Sequence, residues 1–136
     1  MQNLEHAENM LVMSNKDYNA LRGMVENTEY FSDEIFGFHA QQAIEKAAKA
    51  LLDIYSIEYK KIHDIGELFK LLKQNGYEVP IEFISLQDLT EYAVDFRYEP
   101  IESDNDSLDR KLILNQVIGF IDYIQKLLEK HQSQNS

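Results

Sequence analysis

Three polar residues at helical spacing are the first feature of this sequence that suggests chemistry. Gln42, Glu45 and Lys49 are separated by three and four positions, so their side chains can touch on a helix. They border an apolar face, where polar side chains must be hydrogen-bonded or hydrated. We interpret the triplet either as an exposed face with local ion pairs or as part of a binding site.

A single arginine gives the second signal. Arg97 follows an apolar stripe that includes Leu86, and helical spacing places it on the inward side. An unpaired buried charge is strongly destabilising, so Arg97 should meet an anion, and Glu45 is the predicted partner. The pair is either an internal strut or one wall of a groove. In the groove, Arg97 and Lys49 hold a nucleotide phosphate while Tyr98 stacks on the base.

Other kinds of site are not indicated. The chain has no cysteine, which excludes disulfides, thiolate metal sites and cysteine nucleophiles. It has no glycine-rich phosphate loop and no nucleophile elbow. The four histidines lack metal-ligand spacing; they are His6, His39, His63 and His131. We therefore expect no cofactor and no metal, and no residue is predicted to be catalytic.

The net charge of −11 bears on the class of partner. So acidic a chain repels a phosphate backbone, and direct nucleic-acid binding is therefore not expected. The negative charge concentrates in two segments, which are either solvated loops or a docking surface for a basic partner. Their acidic residues are Glu26, Glu29, Asp33 and Glu34, then Glu99, Glu102, Asp104, Asp106 and Asp109.

The chain ends and the apolar runs bear on location. No apolar run approaches the ~20 residues needed to span a membrane. The first six residues are polar and acidic, unlike a signal peptide. A cytoplasmic protein is the expectation.

The elements that must position these residues are predicted to be helices, because no segment alternates with a period of two for long enough to form a strand. The clearest spans residues 32–55, where Ser32 can cap a helix whose apolar residues share one face. An N-terminal segment over residues 4–25 is either one helix or two, with Ser14 able to cap the second. Residues 1–13 are the part whose place in that helix stays open.

Three further helices follow. Asp64 and Glu67 form a capping-box pattern for the third helix, which stops near Gly76. Pro80 opens the fourth, which ends near Arg97. The last is capped by Asn105 or Asp106. An extra apolar strip widens its apolar face and consists of Leu114, Ile121 and Leu128. This extra apolar strip packs either on a second neighbouring helix or on a second copy of the chain.

The predicted architecture is an all-α, up-and-down antiparallel four-helix bundle with an extra N-terminal or short helix, because most connections are short. Residues 1–131 form one domain in this interpretation, and residues 132–136 form a disordered tail. No internal repeat or linker divides the chain.

Three motifs in order resemble one family. Residues 38–51 are similar to the second-helix signature of HEPN domains, with an aromatic residue, Gln-Ala, Glu-Lys and a later Lys-Ala-Leu. His63-Asp64-Ile65 with Leu68 resembles the start of that family's third helix. Arg97-Tyr98 with Pro100 is similar to its Arg-Tyr-Pro element. The resemblance covers about residues 14–130 and points to the nucleotidyltransferase-associated, non-ribonuclease branch.

The resemblance implies a bundle of four to five helices that is often a homodimer. It also implies a separate minimal nucleotidyltransferase as partner, in a toxin–antitoxin type pair or a similar one. The bundle would contribute to nucleotide or substrate binding. The positions that carry over are Gln42, Glu45, Lys49, Arg97 and Tyr98.

Two departures from the family's patterns matter, and the second removes the expected proton-transfer group of a ribonuclease. Glu99 separates Tyr98 from Pro100, where the family has Tyr-Pro. The arginine of HEPN ribonucleases is followed by histidine after four to six residues, and here residues 102–104 are Glu, Ser and Asp. The alternatives are a divergent ribonuclease that uses His39 or His63 as its proton-transfer group, and a purely structural interaction domain.

Overall fold

The computed structural model describes residues 3–93 and 108–134, and the regular structure in these ranges is entirely helical. The order is α1 (Leu4–Met24), α2 (Asp33–Ile54), α3 (Ile65–Gln74), α4 (Ile81–Ile84) and α5 (Arg110–Gln134); α4 continues directly as a 3-10 helix over Ser85–Tyr92. The all-α prediction is confirmed.

The second helix is the centre of the fold. Ser32 caps it as predicted, and its side chain accepts a hydrogen bond from the Ile35 backbone N–H at 3.3 Å. α2 contacts α1, α3, the 3-10 helix and α5. Buried residues therefore occur on most of its circumference, and small alanines such as Ala43 and Ala47 let the neighbouring helices approach closely.

The first helix is continuous. Ser14 does not cap a second piece, because it lies inside α1 and is fully buried. Its hydroxyl donates to the Ala43 carbonyl of α2 at 2.6 Å. The polar gap in the apolar pattern of α1 is therefore a helix–helix hydrogen bond, which satisfies a buried hydroxyl.

Contacts between helix ends give the directions. The beginning of α1 lies beside the end of α2, where the Asn3 N–H meets the Asp53 carbonyl at 3.3 Å, so these helices are antiparallel. α5 runs with α2, because Arg110 contacts Asp33 at one end and His131 contacts Tyr55 at the other. The connection over residues 55–64 travels back along α2 before α3 begins.

The ends of α3 follow the predicted signals. The Asp64 side chain accepts from the Glu67 N–H at 3.2 Å, which is the cap expected from that pair. Gly76 has φ of +88°, the left-handed conformation that favours glycine after a helix. Both boundary predictions for this helix are confirmed.

The fourth helix departs from the prediction. Helical structure ends at Tyr92, and Ala93 has the extended value ψ of 164°. The helical phase that placed Arg97 inward therefore cannot be carried beyond Tyr92. Arg97 and Tyr98 lie outside the described residues.

The last helix begins later and runs further than predicted. The Asp109 side chain accepts from the Leu112 N–H at 3.1 Å, so Asp109 takes the capping place assigned to Asn105 or Asp106, which lie outside the described residues. α5 continues through Gln134, so residues 132–134 of the predicted disordered tail are helical. The extra apolar strip packs within the chain, since Ile121 and Leu128 are buried and α5 contacts both α1 and α2.

No helix in the described part of the chain is long and apolar enough to cross a membrane.

Candidate functional site

A row of polar residues at every fourth position of α2 builds the candidate site. Gln41, Glu45, Lys49 and Asp53 lie one above the other because four residues make slightly more than one helical turn. Gln41 is fully buried, and Glu45 and Asp53 are 6% and 7% exposed. So much polar surface inside a helical bundle requires hydrogen-bond partners.

Glu45 is the centre of the row. Its Oε1 accepts from Gln41 Nε2 at 2.8 Å, and its Oε2 accepts from Lys49 Nζ at 2.9 Å. His63 Nδ1 lies 3.0 Å from the same Oε2. Burial raises the pKa of Glu45, but the hydrogen bonds from Lys49, His63 and Gln41 outweigh it and leave the pKa below its ordinary value. Glu45 is therefore a buried carboxylate that stays ionised.

Of the predicted site residues, Glu45 and Lys49 contact each other directly, and Gln42 is linked to Glu45 through Gln41. Gln42 Nε2 donates to Gln41 Oε1 at 2.7 Å, and Gln41 Nε2 also donates to the His63 carbonyl at 3.2 Å. Gln41 was not among the predicted site residues. Its position four residues before Glu45, on the seam beside the apolar face, was the signal that could have identified it.

His63 is the exposed member of the cluster. It precedes Asp64, which caps α3, and its side chain contacts Glu45. The His63 side chain is 70% exposed, and the Lys49 side chain is only 11% exposed. Because a carboxylate only accepts hydrogen bonds, Nδ1 carries the proton of the neutral imidazole and Nε2 is available to a ligand.

The predicted contact between Arg97 and Glu45 lies outside the described residues, as does Tyr98. Within the described ranges, both oxygens of Glu45 already have partners. No buried side-chain nitrogen or oxygen in these ranges lacks a hydrogen bond. The Glu45 carboxylate therefore has its hydrogen bonds and its counter-charge from the described residues alone.

Within the described residues, a different arginine, Arg110, is buried. The guanidinium of Arg110, at the start of α5, donates to Asp33 Oδ1 and to the Met24 carbonyl, both at 3.0 Å, and also to the Phe31 carbonyl. It lies over the Phe36 ring at 5.2 Å. These contacts join α5 to the turn between α1 and α2, at a distance from the candidate site along α2.

A second histidine–carboxylate pair lies at the other end of the row. His6 Nδ1 is 2.6 Å from Asp53 Oδ2, and the Tyr59 hydroxyl lies 3.4 Å from the same nitrogen. Burial raises the pKa of Asp53 in spite of His6 and Tyr59. Lys49 Nζ lies 5.8 Å from the centre of the Tyr59 ring, so Tyr59 connects the two ends of the row.

A polar cavity of about 550 Å³ opens beside this second pair. Asn3, His6, Asp53 and Tyr59 line it together with residues 56–58 and Lys60. In the described part of the chain, no group of three or more His, Asp or Glu side chains is placed to hold a metal ion. The two clusters can bind and exchange protons through imidazole, carboxylate and ammonium groups.

Comparisons with known proteins agree on one family. The sequence model of the HEPN domain matches residues 4–128. Among solved structures, the crystal structure of an archaeal HEPN homologue is similar, with a TM-score of 0.65 over 90% of this chain and 97% of that chain. The two sequences are 21% identical, so this likeness concerns the fold. No curated protein matches the sequence.

Proposed function

The chain belongs to the HEPN family, and from that premise we propose that it is an accessory binding module of the nucleotidyltransferase-associated branch. In this proposal it binds a nucleotide or the substrate of a separate minimal nucleotidyltransferase chain, in a toxin–antitoxin type pair or a similar one. It acts as a homodimer and not as an enzyme on its own.

One observation carries the nucleotide part of the proposal. Lys49 and His63 converge on Glu45 at the centre of the buried polar row, so a cation and an imidazole are held in fixed positions, and the imidazole faces solvent. Fixed donors of this kind suit the oxygens of a phosphate. Gln42 adds an amide next to them. Arg97 and Tyr98 complete the proposed site, as phosphate ligand and stacking partner respectively.

Calorimetry tests this function. ATP and other nucleotides are titrated into the chain alone and into its mixture with a candidate nucleotidyltransferase partner. We expect binding that weakens at least tenfold in Arg97→Ala and in Lys49→Gln. Arg22→Ala is the matched control, because Arg22 is an exposed arginine of α1, and it should leave binding unchanged. Absence of nucleotide binding with and without the partner rejects the nucleotide part.

A second candidate function is a divergent ribonuclease, and the specific observation in its favour is His63. A histidine oriented by a buried carboxylate with one ring nitrogen exposed is an arrangement that transfers protons. The net charge of −11 opposes RNA binding. Metal-free RNA cleavage that is present in the purified protein and lost in both His63→Gln and Arg97→Ala would establish this activity; equal cleavage in all three would exclude it.

A further inference from the structure

The charges in the Glu45 cluster almost cancel. Glu45 is ionised, and among the described residues Lys49 is the permanent cation bonded to it, at 2.9 Å. With a neutral His63 imidazole the three side chains sum to zero charge. With a protonated imidazole they sum to one positive charge, at the most exposed point of the cluster. Within these three side chains, an approaching anion therefore meets a net positive charge only when His63 carries both protons.

We propose that His63 is the charge switch of the candidate site, and that the site takes a multiply charged phosphate-bearing anion, such as a nucleoside triphosphate, in the protonated state of His63. The inference rests on the proposed function and adds to it the residue whose protonation regulates binding. The ligand phosphate contacts His63 Nε2, while Nδ1 keeps its hydrogen bond to Glu45.

The other charged groups near His63 keep the same charge between about pH 6 and pH 8. On α2, the groups that face His63 are Glu45 and Lys49, which neutralise each other. On α3, Asp64 is engaged as the helix cap, and Glu67 lies in the same first turn. The connection before α3 contributes the Tyr59 phenol and two exposed lysines, Lys60 and Lys61.

The 3-10 helix packed on α3 adds only acidic groups, Asp88 and Glu91. Burial and the nearby Asp53 carboxylate raise the pKa of Tyr59, so this phenol stays neutral at ordinary pH. Imidazole is the side-chain group that can gain a proton near neutral pH, and His63 is the imidazole that contacts Glu45 in the described residues.

The expected pH dependence follows from the charge that a protonated imidazole adds beside Glu45 and Lys49. If the protonated form alone attracts the anion, affinity is severalfold higher at about pH 6 than at about pH 8. The sign is fixed by the charge: anion binding favours the proton on His63, so binding takes up protons from solution.

The experiment measures dissociation constants of ATP and of inorganic sulfate at about pH 6, 7 and 8 at constant ionic strength, by NMR titration. Sulfate is included because its charge does not change over this range, unlike that of a terminal phosphate. Proton uptake by the unmodified protein is measured by calorimetry with sulfate in two buffers of different ionisation enthalpy. This measurement needs no variant.

Two variants test the assignment. His63→Gln should remove the pH dependence and keep affinity at its weak, high-pH value. Glu45→Gln should bind the anions more tightly at high pH, because Lys49 is then no longer neutralised. The matched control is His39→Gln, since His39 also faces a carboxylate that binds a lysine: Asp17 lies 3.2 Å from His39 and 2.6 Å from Lys46. His39→Gln should retain the pH dependence of the unmodified protein.

The outcomes separate the two proposals. Nucleotide binding with no pH dependence and no proton uptake overturns the role of His63 and leaves the binding function standing. A pH dependence that persists in His63→Gln, or disappears in His39→Gln, overturns it as well. No binding of ATP or sulfate at any pH rejects the phosphate ligand itself, and with it the nucleotide part of the proposed function.

Discussion

At the scale of single residues, two arginines had to be distinguished. The sequence predicts that Arg97 faces inward and is paired, and this residue lies outside the described part of the chain. Among the described residues, Arg110 is a buried arginine with several partners. The signal for it was local: a cation in the first turn of a helix is unfavourable to the helix dipole, so an arginine there needs an anion and acceptors of its own.

Replacing Arg110 tests its structural role. In Arg110→Met, the Met24 and Phe31 carbonyls lose their donor and Asp33 loses its cation. We expect a loss of about 2–4 kcal/mol in the free energy of unfolding, measured by urea denaturation. Lys111→Met is the matched control. The Lys111 side chain is 77% exposed and its pair with Glu26 is 3.5 Å long, so its removal should change stability by less than about 0.5 kcal/mol.

The depressed pKa of Glu45 predicts a pH dependence of stability. Because this pKa is lower in the folded chain than in the unfolded chain, the folded state binds fewer protons. The stability that Glu45 contributes is therefore complete above its unfolded pKa, about 4.5, and is lost as the pH falls through the folded value.

Glu45→Gln should accordingly be less stable than the unmodified protein at neutral pH, and the gap should shrink below about pH 4.5. Urea denaturation at a series of pH values measures the gap. Glu129→Gln, at an exposed position of α5, should show a small difference that does not follow this curve. A gap for Glu45→Gln that stays constant down to about pH 3 would contradict the assigned pairing.

At the scale of elements, a glycine determines how the 3-10 helix meets α2. A Cβ built on Gly37 would lie 2.5 Å from the ring of Tyr92, which is buried against α2. Glycine is a poor helix former, but α2 has it at position 37 because any larger residue would clash with this ring. Burial and nearby carboxylates also raise the pKa of Tyr92 to about 12.

Gly37→Ala tests this packing. The clash should exceed the gain in helix propensity and lower the free energy of unfolding by about 1–3 kcal/mol. Gly23→Ala is the opposite case in α1, where nothing lies within 4 Å of the added Cβ. It should stabilise the protein by up to about 1 kcal/mol. Thermal denaturation followed by circular dichroism compares the two variants, and equal effects would contradict the role of Tyr92.

The helices were predictable to the degree that local signals determine them. Ser32, Asp64 and Gly76 mark boundaries through their own hydrogen bonds or φ angles, and the sequence identified all three. The fourth helix was not predicted correctly, because the periodicity through Leu86 and Leu89 does not distinguish an α-helix from a 3-10 helix. The predicted cap at Ser14 was wrong, because the Ser14 hydroxyl donates to a carbonyl of α2.

The candidate site was partly predictable for the same reason. Glu45 and Lys49 are four positions apart on one helix, so their contact follows from helical geometry. His63 and Gln41 complete the cluster through a contact between the loop before α3 and α2, which no local pattern determines. Arg97 and Tyr98 remain predictions.

At the scale of the whole molecule, the assembly is predicted to be a homodimer. The extra apolar strip of α5 is used inside the chain, so it no longer argues for a second copy. Exposed apolar side chains are present elsewhere, and Val12 and Met13 are adjacent on the outer side of α1. Sedimentation equilibrium should give the mass of two chains. In Val12→Glu with Met13→Glu it should give one, whereas a monomer before substitution would refute the prediction.

The contacts of Asn3 and His6 with Asp53 determine where the chain tolerates truncation or fusion. Shortening the chain past His6 would remove the imidazole that contacts the mostly buried Asp53 carboxylate, and a bulky fusion just before Asn3 would disturb the same contacts. Affinity handles therefore belong after α5. A protein truncated or fused at its N-terminus would unfold at a lower temperature. Weak binding measured with such a protein would then reflect unfolding and not the absence of a ligand site.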